Sequence, residues 1–236
     1  GGIFGFVEGS NAFALDAFKQ RLETITLEDG SQKLEADYLF TGDYVISALQ
    51  NGRSLATSNG KAIAGGIIGK GLFNLNGTDA LKTNIALADP DSNLLVEATQ
   101  SKLTSTNGRI NDKEHACAAL IYGSVGNTNV NMNNINVYSN NTTVKTVREI
   151  GSKALGDLHT GGFISYATGS TFENINMYLN DSKVAAESLS YEGTNASDDT
   201  NSAFCGGFSG ELLNNSSLTN LEFAGFDTSL FNTIGT

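Results

Sequence analysis

The sequence predicts an all-β fold, a parallel β-helix (β-solenoid) of about five stacked coils with loop insertions at the corners. Three observations lead there. Small-residue pairs followed by an apolar residue recur along the chain, at Gly1-Gly2-Ile3, Gly65-Gly66-Ile67, Ala118-Ala119-Leu120, Gly161-Gly162-Phe163 and Gly206-Gly207-Phe208. Downstream of each lies an apolar pair separated by one residue: Ile25/Leu27, Ile85/Leu87, Ile135/Val137, Ile175/Met177 and Leu221/Phe223. That period of two places both members on one face of a strand. The third observation is composition. One proline, 27 glycines and 26 asparagines suit many short strands joined by tight turns, because Gly and Asn tolerate left-handed backbone.

Taken in order, the first unit runs from its glycine pair into Ala12 to Glu23, where Phe13, Phe18 and Leu22 follow a Ser10 cap and predict an inserted helix. Its corner loop, Gln50 to Gly60, contains two Asn-Gly steps. The second unit places its third strand at Leu94 to Lys102 and its loop at Thr104 to Glu114. In the third unit these fall at Thr142 to Val147 and Arg148 to His159. The fourth reads as strand Gly161 to Ala167, turn Gly169-Ser170, strand Phe172 to Leu179, turn Asn180-Asp181 and strand Lys183 to Tyr191. A polar loop, Gly193 to Asn201, precedes the fifth glycine pair. The pairs start 64, 53, 43 and 45 residues apart, so the period is loose while the internal order is kept. All insertions fall at one corner, where stacked units gather them along one edge as a binding surface.

Each unit alone cannot bury its apolar face, and stacking makes the inward Ile, Leu, Val, Met and Phe residues one core. About five coils at the strand spacing stand only ~24 Å tall, with strand edges at both ends, so 1–236 is expected to be a single segment of a longer passenger or stalk. Just before each apolar pair sit Thr24, Asn84, Asn134, Asn174 and Asn220. The four asparagines are expected to form an amide ladder from coil to coil.

The charge balance removes some function classes. With 25 acidic and 14 basic residues, and the basic ones scattered singly, nucleic acid is excluded as a partner, since binding it rests on phosphate neutralisation by clustered Lys and Arg. No run reaches the roughly 18 apolar residues of a spanning helix, and the first residues carry no signal peptide, so any membrane attachment is expected through a C-terminal anchor outside 1–236.

The units resemble GLUG-motif repeats, named for a Gly-Leu-x-Gly core and found in large surface and secreted bacterial proteins. The matching residues are Gly1 to Gly5 (GGIFG), Gly65 to Gly69 (GGIIG), Gly161 to Phe163 and Gly206 to Gly210 (GGFSG), with a G-S-x-apolar-x-N step at Gly169 to Asn174. Ala118-Ala119 departs from the pattern, and the long units imply extra corner loops. The resemblance implies an autotransporter or filamentous-haemagglutinin-like passenger, exported and folded outside the cell or on the outer-membrane surface.

Candidate chemistry is sparse. Cys117 and Cys205 both precede a small-residue pair, in register with Ala64 and Thr160 and two coils apart, ~9.6 Å, beyond the ~7 Å limit for a disulfide; two buried thiols are expected. His115 and His159 are expected near each other at the loop edge, without the Cys or Asp ligands that a metal site needs. Asp89, Asp91 and Asn93 alternate like a calcium loop, but Leu94 and Gln100 stand where Gly and Glu are required, so a turn is expected. Asp198-Asp199 reads as a solvated loop tip, and Asn141-Thr142-Thr143 as a chance sequon. There is no Trp and no marked aromatic row for stacking on sugars. No catalytic, cofactor-binding or metal-ligating residue is assigned. The expectation is a non-enzymatic bacterial adhesin or surface-coat scaffold that contacts a host or bacterial surface protein or glycan, or copies of itself, through its corner loops. The alternatives are a carbohydrate-active β-helix enzyme, a lyase or hydrolase using carboxylates, and an accessory module of a large secreted protease.

Overall fold

The computed structural model describes residues 4–8, 23–26, 33–36, 38–40, 44–50, 62–72, 75–76, 83–87, 94–100, 116–125, 131–148, 157–188 and 202–234. All elements among them are strands, and no helix occurs among the described residues. The first pass of the chain gives β1 (Phe4–Glu8), β2 (Glu23–Thr26), β3 (Lys33–Ala36), β4 (Tyr38–Phe40) and β5 (Tyr44–Gln50). The next gives β6 (Ala62–Gly65), β7 (Ile68–Leu72), β8 (Leu75–Asn76), β9 (Thr83–Leu87) and β10 (Leu94–Gln100). Then come β11 (Ala116–Ala119), β12 (Tyr122–Val125), β13 (Asn131–Asn140) and β14 (Thr142–Arg148). They are followed by β15 (Leu158–Gly161), β16 (Ile164–Thr168), β17 (Thr171–Asn180) and β18 (Lys183–Ser188). The last are β19 (Ala203–Gly206), β20 (Ser209–Leu213), β21 (Ser217–Phe226) and β22 (Ser229–Ile234).

Corresponding strands of successive passes pair in parallel. The sheets run β1-β7-β12-β16-β20, β5-β10-β14-β18-β22, β6-β11-β15-β19 and β4-β9-β13-β17-β21, with β8 also on β13. Apart from the β2-β3 hairpin, the molecule is an all-β arrangement of stacked parallel sheets, solenoid-like. Its core is a set of vertical rows. Val96, Val144 and Val184 share one, and Ile135 and Ile175 another, all at most 1% exposed. Phe163 stacks on Phe208 with centroids 5.1 Å apart, and Phe172 meets both edge-on. Large apolar residues left partly exposed concentrate on β20 to β22, the outermost described layer: Leu213, Leu218, Phe223, Phe226 and Leu230.

Each of the last three passes has four strands, where the sequence predicts three. The expected strand Gly161 to Ala167 is broken into β15 and β16 by the glycine pair. Gly161 and Gly162 lie so close to other backbone that a Cβ would overlap the carbonyl oxygens of Ile164 and Gly207 respectively. Beyond the bend, β16 and its neighbours run against the preceding strands: a Cβ on Gly210 would lie 2.8 Å from Thr160 N and 2.7 Å from Ser165 O. The last small residue of the G-G-x-x-G pattern therefore serves sheet-to-sheet approach, and the first two serve the bend.

The register corrects three expectations. Ala119 pairs with Gly161 and Gly65, so the third bend is Ala119-Leu120 and not Ala118-Ala119. Ile85 and Leu87 stand opposite Val137 and Ser139, two residues from the expected register. The first pass does not use Ile25/Leu27. Ile25 pairs antiparallel with Leu34, and Tyr38 and Phe40 of β4 take the places opposite Ile85 and Leu87. The predicted helix from Ala12 to Glu23 lies outside the described residues except at Glu23, which opens β2. The third strands at Leu94, Thr142 and Lys183 start where expected.

Turns between strands use left-handed Asn, Asp and Gly. Gly169 has φ 62°, and Asn141, Asp181 and Asp227 have φ between 43° and 53° at successive levels of one corner. Inside that corner Ser182 Oγ donates to Asn180 O at 2.7 Å and Thr228 Oγ1 to Phe226 O at 2.8 Å. These hydroxyls add a second bond to carbonyls that already accept a backbone N–H from the next pass, Asn180 O from Asn141 N at 3.1 Å and Phe226 O from Asp181 N at 3.0 Å.

Candidate functional site

The candidate chemical residues read from sequence fall only partly among the described residues. Asp89, Asp91, Asn93, His115, Asp198 and Asp199 lie outside the described residues. Cys117 stands opposite His159 and Ile63, whereas Cys205 stands opposite Thr160. The two thiols thus sit on opposite faces of their sheet, not in one row, because the third bend is shifted by one residue. Neither is in a disulfide. Cys117 is buried; Cys205 is half-buried, and its Sγ lies 3.2 Å from Val184 O.

His159 is fully buried, not at a loop edge. Its ring stacks on Phe204 at 5.2 Å and meets Tyr166 edge-on at 5.1 Å, and its Nδ1 lies 3.3 Å from Glu211 Oε2. Burial pushes the Tyr166 hydroxyl above the ordinary tyrosine range, and Glu211, Cys117 and Asp157 add to it. Asp157 also accepts the Ser202 N–H at 2.7 Å. With no exposed surface on the imidazole, this cluster ties β15 to β16 and β20 across the glycine-lined contact and offers no access to a substrate. Among the described residues no three His, Cys, Asp or Glu side chains are grouped to hold a metal ion.

The outward face of β13, β17 and β21 is different. Along each strand alternate residues point away from the core, and the rows formed across strands are chemically uniform. Asn176 Nδ2 donates to Asn136 Oδ1 at 3.0 Å and Asn180 Nδ2 to Asn140 Oδ1 at 2.8 Å. Between these two amide rows Tyr138 and Tyr178 stack face to face, with centroids 5.0 Å apart and planes 4° from parallel. The Tyr178 hydroxyl has its pKa raised by burial first and then by the Glu222 carboxylate. Tyr138 is pushed up to about 12 by burial, then by Tyr178 and Glu222. The three strands contain Glu173 and Glu222 but no Lys or Arg, so this face is acidic.

At the edge of the same face three asparagines take left-handed backbone: Asn134 (φ 55°), Asn174 (φ 52°) and Asn220 (φ 52°). Asn220 Nδ2 donates to Asn174 Oδ1 at 2.8 Å, and Asn174 Nδ2 to Asn134 Oδ1 at 3.1 Å. The expected ladder therefore exists with three members. Asn84 stands opposite Asn136 and belongs to the neighbouring row.

The tyrosine pair corrects the expectation that no aromatic row exists. Its signal was present in the sequence, as Asn134-Ile135-Asn136-Val137-Tyr138 and Asn174-Ile175-Asn176-Met177-Tyr178, two copies of one pattern whose fifth residues align once the register is known. Chemically the face offers amide donors and acceptors, two ring systems and carboxylates on a rigid sheet, which is equipment for recognition. No protein-family model matches the chain, and no curated protein or solved structure matches it either.

Proposed function

We propose that this chain is a non-enzymatic repeat segment of a secreted or surface-exposed bacterial protein, of the GLUG type, that serves as an adhesin or surface-coat scaffold of five coils. Contacts are made through the corner loops and the acidic outward face. The observation that carries the reading is the row structure of that face, in which amides and tyrosines recur in register on strands 40 residues apart. Stacked repeats present such rows as an extended surface of the kind that repeat proteins use for binding. The segments 51–61, 101–115, 149–156 and 189–201 support the loop assignment, since each joins a strand of the β5-β10-β14-β18 sheet to one of the β6-β11-β15-β19 sheet.

The test is a binding screen of the purified chain against arrays of host and bacterial surface proteins and glycans, run beside a depolymerisation screen on acidic and neutral polysaccharides. Saturable capture without depolymerisation is expected. Polysaccharide cleavage that is lost on Asp198→Ala or Asp199→Ala would replace the scaffold reading with the enzyme.

A further inference from the structure

On β21 the residues Glu222, Ala224 and Phe226 alternate along the outward face, and the strand register sets Ala224 opposite Tyr178. One face of the Tyr178 ring is covered by Tyr138. The other looks across Ala224, whose methyl group is too short to cover it. The result is a notch: Tyr178 forms its back wall, Ala224 its floor, and Glu222 and Phe226 its two sides, Phe226 being 62% exposed. The notch combines an aromatic face with the Glu222 carboxylate, two residues from Ala224 along the same outward row and near enough to raise the Tyr178 hydroxyl's pKa.

We propose that this notch takes the cationic side chain, lysine or arginine, of a basic segment on a partner protein. The inference rests on the reading of the acidic face as a contact surface and names its partner. Two arguments select the cation. A ring face attracts an ammonium or guanidinium group through its quadrupole, and the neighbouring carboxylate adds its own Coulombic attraction. Charge complementarity points the same way, because β13, β17 and β21 present two carboxylates and no basic side chain. The alternation of the sheet then favours an extended segment laid along the strands, with basic residues at alternate positions.

The experiment titrates the full chain with a fluorescently end-labelled hexalysine peptide at low salt, followed by anisotropy, with hexaglutamate as control. Saturable hexalysine binding that weakens with added salt is expected, and none for hexaglutamate. Glu222→Gln should weaken it about two- to five-fold. Tyr178→Leu should weaken it by a similar two- to five-fold, while Tyr178→Phe, which keeps the ring, retains it. Ala224→Leu, which fills the notch, should abolish it. Glu97→Gln removes an equal charge from the face of β10, where Glu97 pairs with Lys145 at 2.8 Å, and should leave binding unchanged. Circular dichroism checks that each variant is folded. If Glu97→Gln and Glu222→Gln weaken binding equally, or Ala224→Leu binds normally, attraction is general and the notch is refuted. An absence of hexalysine binding alongside Tyr178-dependent glycan capture also refutes it while leaving the scaffold reading intact; only the depolymerisation result removes that reading.

Discussion

Every later pass of the chain is bent sharply at two places, and the two bends use opposite chemistry. At Gly161-Gly162 the side chain is absent, because a Cβ would overlap carbonyl oxygens of the same and the neighbouring pass. At Asn174 the side chain is the device. The backbone is left-handed, and the amide ties the bend to the same bend above and below. A glycine bend is enforced by space, an asparagine bend by bonding. The first should therefore respond to added volume and the second to lost polarity.

The largest expected effect tests the steric side. Gly162→Ala places a methyl against the Gly207 carbonyl oxygen and should cost about 3 kcal/mol. Gly207→Ala meets the ring of Phe223 first, a partly exposed side chain that can swing aside, and should cost about 1 kcal/mol or less. Midpoints of urea unfolding for the two variants measure the gap, and equal losses would remove the steric explanation.

The bonding side comes next. Asn174→Leu loses two amide bonds and puts an ill-suited residue at φ 52°, for a cost of roughly 2 kcal/mol. Asn174→Gly loses the same bonds but keeps the conformation, so about 1 kcal/mol is expected. If glycine proves as harmful as leucine in the same urea series, backbone conformation contributes nothing at this bend.

The smallest effect concerns the rows beside the ladder. Burial raises Tyr138 from 10.0 to about 12, so between those pH values the unfolded chain loses a proton that the folded chain keeps. Stability is then fully present below pH 10 and falls as pH rises toward 12. Tyr138→Phe should flatten the decline, as read by unfolding midpoints across that window, and an unchanged slope would show that the stacked pair does not hold its proton.

The same contrast explains what could be read from sequence. The strands starting at Leu94, Thr142 and Lys183 were legible because apolar alternation belongs to each strand alone. The glycine bends are legible where glycine is present; at Ala119-Leu120, where it is not, the sequence points one residue too early and so places Cys117 on the wrong face. The tyrosine stack and the His159–Glu211 contact depend on which residue lies one pass away, and that offset is set by intervening segments of unequal length, about which local periodicity is silent. The β2-β3 hairpin displaced the first apolar pair for a related reason, since its own alternation imitates the ladder strand that β4 supplies.

Partners in these ladders lie far apart along the chain: Asn174 bonds Asn134 and Asn220, 40 and 46 residues away. Almost nothing in such a structure is rewarded early, because a whole circuit must close before its first hydrogen bonds form, and closing long loops slows the search. A completed layer changes the problem for the next one, which finds edges, hydroxyls and amides already in position. Folding by this route is slow to start and quick to extend, with each layer acting as the mould for its neighbour.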